Sequence, residues 1–314
     1  LGIDLGGTKL ATAVFSGEGE LIKKSSSVLG KRKGPEVGRL ISGKISEILD
    51  ASGSEGYNIV SIGISVPGIS HTATGKVWAP NIPGWEDYPL LSEAGSVSGN
   101  IPVIIESDRT CYIMGEVWQG NARGCRDAIF LSVGTGIGAG ILVNGEILRG
   151  SHDIAGSIGW MALDRPFKEK YISCGCFEYY ASGKGIARIA REMLSESNDY
   201  TGYFKNKPAE EINSHDVFNA FEKGDPLAVK VIRQGVEFWG MAVANLISLF
   251  NPEKIIFGGG VFGPAVSLIP EIMKEASKWS QPVSINQVSI VESALGGDAG
   301  VTGAGYMALR NYQK

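Results

Sequence analysis

Histidine and cysteine are scarce in this chain of 314 residues, with three of the first and four of the second. His71, His152 and His215 are scattered, so no Ser-His-Asp or Cys-His arrangement for nucleophilic catalysis is readable. Only Cys174 and Cys176 lie close together, which does not make the disulfide framework of a small secreted domain. Two cysteines supply half of a tetrahedral zinc site, and no histidine stands at a ligand spacing from them. The pair reads as buried structural thiols. Long apolar runs are also missing: no stretch reaches about 18 residues, and no basic-then-apolar leader opens the chain. A formal net charge of -4 leaves no excess of basic residues, which argues against a general nucleic-acid or membrane surface. The expectation is a cytoplasmic protein. Glycine is what the chain has in plenty, at 44 residues. With no collagen or low-complexity period, that number implies tight turns and close backbone approaches. The hydrophobic share of 43% and charged share of 20% suit a globular protein, and the length suits two domains.

The same plan occurs twice along the chain. Leu1 to Ile3 reads as a short strand, Gly6-Gly7 as a turn, and Lys9 to Phe15 as a second strand. Gly17 to Glu20 then turns into a third strand, Leu21 to Val28. Ala128 to Ile147 repeats this: strand, Gly-rich turn, strand, Asn144-Gly145 turn, strand. An internal repeat says more than any single motif. It predicts two homologous domains, each with one glycine hairpin. Between them, Val37, Leu40, Ile41, Ile45, Ile48 and Leu49 predict an amphipathic helix over 35–51, and Ile59 to Val66 a buried strand stopped by Pro67-Gly68. Val103 to Ser107 is an apolar strand running into Asp108, with a helix from Arg109 to Gln119. Helices are predicted over 184–195, 214–222 and 226–250. A strand at Lys254 to Phe257 enters Gly258-Gly259-Gly260 and a helix reaching about Lys278. The last elements are a strand at 288–291 and a helix at 300–312. Alternation of strands and helices makes the class α/β.

Two glycine turns can hold phosphate. In Asp4-Leu-Gly-Gly-Thr8, the amides of Gly6 and Gly7, the Thr8 hydroxyl and the Lys9 cation are candidate phosphate contacts. Asp4 offers the hard oxygen that Mg²⁺ favours. The plain alternative is a hairpin turn that needs glycine, with Lys9 a solvated charge. Gly134-Thr135-Gly136-Ile-Gly138 resembles a dinucleotide fingerprint, but a strand follows it rather than a helix, so that reading fails. There is no G-x-x-x-x-G-K-[ST] either. Gly258-Gly-Gly-Val-Phe-Gly263 has dinucleotide spacing but no acidic residue at the right distance. It reads as a nucleoside-side turn or as a simple strand–helix connector. Asp108 is the candidate general base for a phosphoryl transfer; as an alternative, it is the N-cap of the helix that follows.

Taken together these residues resemble the ROK family (repressors, open reading frames and sugar kinases). The resemblance runs through Asp4-Leu-Gly-Gly-Thr8, Gly63-Ile-Ser-Val-Pro67-Gly68, Pro80-Asn81 with Gly84-Trp85, Asp108 and Gly134 to Gly140. It continues through Gly150, Ala155-Gly156, Gly159, Gly175-Cys-Phe-Glu178, Asn251-Pro252, Gly258 to Val261 and Gly297-Asp-Ala-Gly300. It implies a duplicated ribonuclease-H-like fold, as in actin and hexokinase, with a sugar in the interdomain cleft and an ATP–Mg²⁺ site. The expected domains are 1–107, 108–300 and a C-terminal helix, 301–314, returning to the first domain. Asp108 would deprotonate the sugar hydroxyl. Gly6, Gly7, Thr8, Gly134, Thr135 and Gly136 would clamp phosphate, and Gly258, Gly259 and Gly260 would lie near the adenosine. Gly68, Asn81, Ser107, Ser157, Trp160 and Glu178 fall at sugar-side positions. A homodimer is expected on the resemblance alone.

The departures from the family pattern carry their own expectations. Ser107 stands where family kinases have Asn before the catalytic Asp, and Ser157-Ile-Gly159-Trp160 where they have Glu-x-Gly-His. That His also binds zinc with three cysteines; here it is Trp160, and the cysteine block is shortened. No structural zinc is expected. Trp160 either offers a flat face to a sugar or packs between domains. The resemblance implies an ATP-dependent sugar kinase with an altered acceptor, the alternative being a sugar-sensing regulator with weak or no catalysis. The missing winged helix before the Asp4 strand and the acidic balance count against DNA binding.

Overall fold

The computed structural model describes residues 1–197 and 199–313. The first strands are β1 (Gly2–Leu5), β2 (Lys9–Phe15) and β3 (Leu21–Val28). They are followed by α1 (Pro35–Ser52), β4 (Ile62–Val66), β5 (Ile69–His71), β6 (Lys76–Trp78), α2 (Leu90–Ser98), β7 (Val103–Ser107) and α3 (Asp108–Gln119). The repeat then opens with β8 (Ala128–Val133), β9 (Ile137–Val143) and β10 (Glu146–Ile147). Next come α4 (Cys176–Ala181), α5 (Gly183–Ser195), α6 (Ser214–Glu222), α7 (Pro226–Phe250) and β11 (Lys254–Gly258). The chain closes with α8 (Ile269–Ala276), α9 (Pro282–Ile285), β12 (Ser289–Glu292) and α10 (Ala299–Tyr312).

The repeat is visible in the sheets. One runs β3-β2-β1-β4-β7 and the other β10-β9-β8-β11-β12. In the first, β1 is antiparallel to β2 and parallel to β4, which is parallel to β7. In the second, β8 is antiparallel to β9 and parallel to β11, which is parallel to β12. Each glycine turn joins the same two strands of its sheet. β4 is buried along its whole length, as a parallel strand covered on both faces must be. The edge strand β3 is almost wholly exposed and carries Lys23, Lys24 and three serines, a composition that discourages edge-to-edge pairing.

Two compact units result. The first comprises residues 1–124, 147–155 and 294–314, and the second 125–146 and 156–293. Each has its own large apolar core. The boundary therefore falls after Gly124, not at 107/108, because α3 packs against α10, which also covers β1, β2 and β4. That packing is close enough to need glycine. A Cβ on Gly303 of α10 would overlap the Cys111 carbonyl of α3, and one on Gly63 of β4 would overlap the Ala304 carbonyl. Buried Glu116 adds a polar tie, accepting from Asn121 N at 2.7 Å and Leu295 N at 3.3 Å.

The central helix of the second unit, α7, shows how local chemistry sets an element. Asp225 caps it, accepting from Leu227 N and Ala228 N, both at 3.0 Å; Pro226 occupies the first turn, and Asn251 ends it in the left-handed conformation. These are the start and stop signals that favour those residue types. The predicted helix from Gly260 to Lys278 is instead two short 3-10 turns before α8. The strand predicted from Ile59 begins at Ile62.

Candidate active site

Asp108 sits in the first turn of α3, but the cap is Ser107. The Ser107 Oγ accepts from Thr110 N at 3.4 Å and lies 3.1 Å from Thr110 Oγ1. This leaves the Asp108 carboxylate to other partners: Oδ1 accepts from Arg109 N at 2.8 Å and Oδ2 from Tyr112 Oη at 3.4 Å. Burial pushes the Asp108 carboxyl up to about 6, against the lowering pull of Arg109, while the like charge of Asp4 adds to the rise. A carboxyl in that range is half ionised near pH 6 and mostly ionised at neutrality, which suits a base.

Asp4, at the end of β1, accepts from Ser65 Oγ at 2.6 Å and packs against Gly300 at the start of α10. Burial raises its carboxyl too, while Ser65 and Lys9 oppose the rise. In the adjoining turn the Gly6 amide is used by the hairpin, donating to Lys9 O at 2.9 Å. Gly7, Thr8 and Lys9 are exposed, and a Cβ on Gly7 would meet nothing. The Gly68 carbonyl lies 3.5 Å from Arg109 Nη2. Asn81 is exposed on a loop held by Trp85, whose indole donates to Gly34 O at 3.0 Å and stacks on Tyr88. Asp4, Lys9, Ser107, Asp108, Gly68 and Asn81 thus belong to the first unit.

In the second unit the Gly134 amide is likewise held by its own turn, donating to Gly136 O at 2.9 Å. Glu178 of α4 accepts from Ile137 N at 2.7 Å, and a Cβ on Gly136 would sit 2.7 Å from its Oε2. Burial raises the Glu178 carboxyl, opposed by that amide and by Lys184 and Arg188. Of the three glycines after β11, two serve packing: a Cβ on Gly258 would strike the Phe130 ring, and one on Gly259 the Val133 backbone. Gly260 alone of the three faces open space and lines a cavity of about 720 Å³. That cavity also has Gly134 and Thr135 on its wall, together with Lys184, Arg188 and His215. Gly183, at the start of α5, is bound to Gly134 O at 2.8 Å. A glycine turn, a helix N-terminus and a wall with cations and no carboxylate give this cavity a chemistry that suits an anion better than a cation. Trp160 is 58% exposed, so it fills no core of its own unit, and Ser157 lies three residues before it.

A family model described as the ROK family matches residues 1–311. The chain belongs to the ROK family. It is 33% identical to a glucokinase of Halalkalibacterium halodurans, covering 98% of this chain and 94% of that one. It is 30% identical to a xylose repressor of Caldicellulosiruptor bescii over 82% of this chain and 65% of that protein. Its structure resembles that of a ROK family glucokinase from Streptomyces griseus in complex with glucose and AMPPNP, with a TM-score of 0.78, 28% identity, and 98% of both chains covered. The paired sheets are accordingly the two ribonuclease-H-like halves of the actin-like fold.

Sequence reasoning missed part of this ROK chain's candidate site. Lys184, Arg188 and Arg191 recur at helical spacing on α5, a signal available in the sequence but indistinguishable there from a solvated charged face. Arg191 is tied to the Ile212 carbonyl at 2.6 Å. Among the described residues no three His, Cys, Asp or Glu side chains are grouped as a metal site would require, and no helix is long and apolar enough to cross a membrane.

Proposed function

We propose that this chain is an ATP-dependent sugar kinase with Asp108 as general base. The observation that carries the reading is the Asp108 carboxylate: Ser107 caps the helix in its place, and burial raises it to about 6. Asp108 takes the proton of an acceptor hydroxyl as that oxygen bonds to the γ-phosphorus. The bond from that phosphorus to the β-γ bridging oxygen breaks, and ADP leaves. The protein's part is mainly positioning and charge compensation. Gly7, Thr8, Thr135 and Gly136 contact phosphate, with Lys9, Lys184 and Arg188 supplying positive charge; Gly260 lies on the nucleoside side. Asp4 is a hard-oxygen group fitted to hold Mg²⁺ through water, and that ion, when bound, neutralises phosphate charge. Gly68, Asn81, Ser157, Trp160 and Glu178 line the acceptor side, with Ser107 supporting Asp108 as its cap. A homodimer is proposed on family resemblance alone, and cytoplasmic placement on composition and on likeness to bacterial glucokinases.

The acceptor differs from plain glucose in this reading, because Trp160 offers an exposed apolar face where the family pattern has His. A sugar-sensing regulator is the second reading, favoured by the 30% identity to a repressor. ADP release from Mg-ATP across hexoses, N-acetylhexosamines, glycosides and polyols tests both. The expected result is a sugar-dependent signal that falls by roughly 10²–10⁴-fold in Asp108→Asn. Equal turnover of glucose and every other sugar would remove the altered acceptor. Silence across the panel, with sugar still raising the melting temperature, would favour the regulator.

A further inference from the structure

Glu178 is carried on a helix of only six residues, α4, so something outside that helix must fix its aim. Residues 160–175 lie directly before it. Their ends meet: a Cβ on Gly175 would overlap the Gly159 carbonyl and lie against Trp160 Cα. Between those ends the only regular structure is one 3-10 turn, Glu169–Tyr171. A compact loop with touching ends is held by its own side chains.

Those side chains form one connected network. Asp164 Oδ2 accepts from Tyr171 Oη at 2.7 Å and from Lys168 Nζ at 2.8 Å. Tyr171 Oη lies 2.9 Å from Tyr180 Oη, a buried contact. Tyr180 belongs to α4, and its ring stacks on Phe238 of α7 at 4.5 Å. Tyr180 therefore joins the loop to the helix two residues beyond Glu178. On the other side of Glu178's turn, Tyr179 donates to Glu192 of α5 and lies under the Arg188 guanidinium at 4.2 Å. Lys168 and Tyr171 hold the Asp164 carboxyl down at about 2, so the network keeps its charge throughout the neutral range.

The zinc of the family pattern does not fit this loop. Cys176 is a buried thiol pushed up by burial, the Cys174 sulfur lies 3.8 Å from the Arg188 guanidinium, and Trp160 has no metal-donating atom. Two thiols, one beside a cation, do not make a tetrahedral zinc site. We propose that Asp164, Tyr171 and Tyr180 are a metal-free clasp that positions Glu178, and that the clasp governs affinity for the acceptor sugar rather than the rate of transfer. This rests on the kinase reading above, with Glu178 as a sugar contact.

The test uses the full chain with Tyr171→Phe, Asp164→Asn and the conservative Asp164→Glu. Amide hydrogen exchange over 161–175 reads the clasp, steady-state kinetics read its consequence, and elemental analysis with chelation reads zinc. Tyr171→Phe and Asp164→Asn are expected to speed exchange in that loop and to raise the KM for sugar by about tenfold, with kcat and the KM for ATP nearly unchanged. Asp164→Glu is expected to recover part of the loss, and chelation to change nothing in the parent protein. Faster exchange with an unchanged sugar KM overturns the positioning role, and unchanged exchange overturns the clasp. Stoichiometric zinc whose removal reproduces the Tyr171→Phe behaviour overturns its metal-free nature. A parent protein that neither phosphorylates nor binds any sugar fails the kinase reading itself, an outcome distinct from an active parent whose sugar KM the variants leave alone.

Discussion

Asp108 is costly to the folded state as well as useful to it. Its carboxyl moves from an unfolded value near 4 to about 6 in the fold, so the native state holds its proton more tightly than the unfolded chain does. Stability from this group is therefore complete below about pH 4 and is lost as the pH rises through 6. Above pH 6 the penalty is about 3 kcal/mol. Asp108→Asn should raise the melting temperature by several degrees at pH 8 and make little difference at pH 4, as differential scanning calorimetry at the two pH values would show. With Asp108 as the proposed base, the same proton is expected to set the acidic limb of kcat/KM, with its midpoint near pH 6. A stabilised but inactive variant marks a residue kept for chemistry. Whether Asp108 was cap or base could not be read from Ser107-Asp108-Arg109, since Ser and Asp are equally good caps. The choice of Ser107 is set by the backbone leaving β7, which is extended at Ser107 and already helical at Asp108.

At the level of elements, α10 is the piece on which the first unit depends. Gly303 meets the Cys111 backbone carbonyl of α3, so a larger residue has no flexible side chain to push aside. Gly303→Ala should destabilise the protein by roughly 1–3 kcal/mol or more, the range for overpacking; urea denaturation would measure it, with Gly7→Ala, which meets nothing, as the control. Elements with strong local signals were legible in the sequence: α6 and α7 fall on the residues the periodicity marks, because Asn213 and Asp225-Pro226 start them. The paired glycine hairpins were legible for the same reason, since turn chemistry is local. The β5–β6 hairpin and α2 were not. α2 is Leu-Leu-Ser-Glu-Ala-Gly-Ser-Val-Ser, a weak helix former that is ordered by packing on α1. The cavity wall at Lys184 and Arg188 was hidden for a related reason: only the pairing of β11 with β8 brings Gly134 and Gly260 to the same edge.

For the whole molecule, the repeat in the sequence does translate into two like sheets, but the units do not follow the sequence halves. The chain passes from one unit to the other after Gly124, Glu146, Ala155 and Ser293. The second unit is complete by Ser293, whereas the first lacks its covering helix until α10 is added. A chain ending at Ser293 should therefore keep a protected second unit and lose cooperative unfolding and exchange protection in β1, β2 and β4; hydrogen exchange on the truncated chain would show it. The same order has a consequence during synthesis. About 170 residues separate Gly124 from the final return of the chain to the first unit, the one that brings α10. At roughly 5–20 residues per second, the ribosome takes on the order of 10–30 s to cover that distance. For that interval a finished sheet waits with its α10 face bare, so the half of the protein made first is the half that folds last.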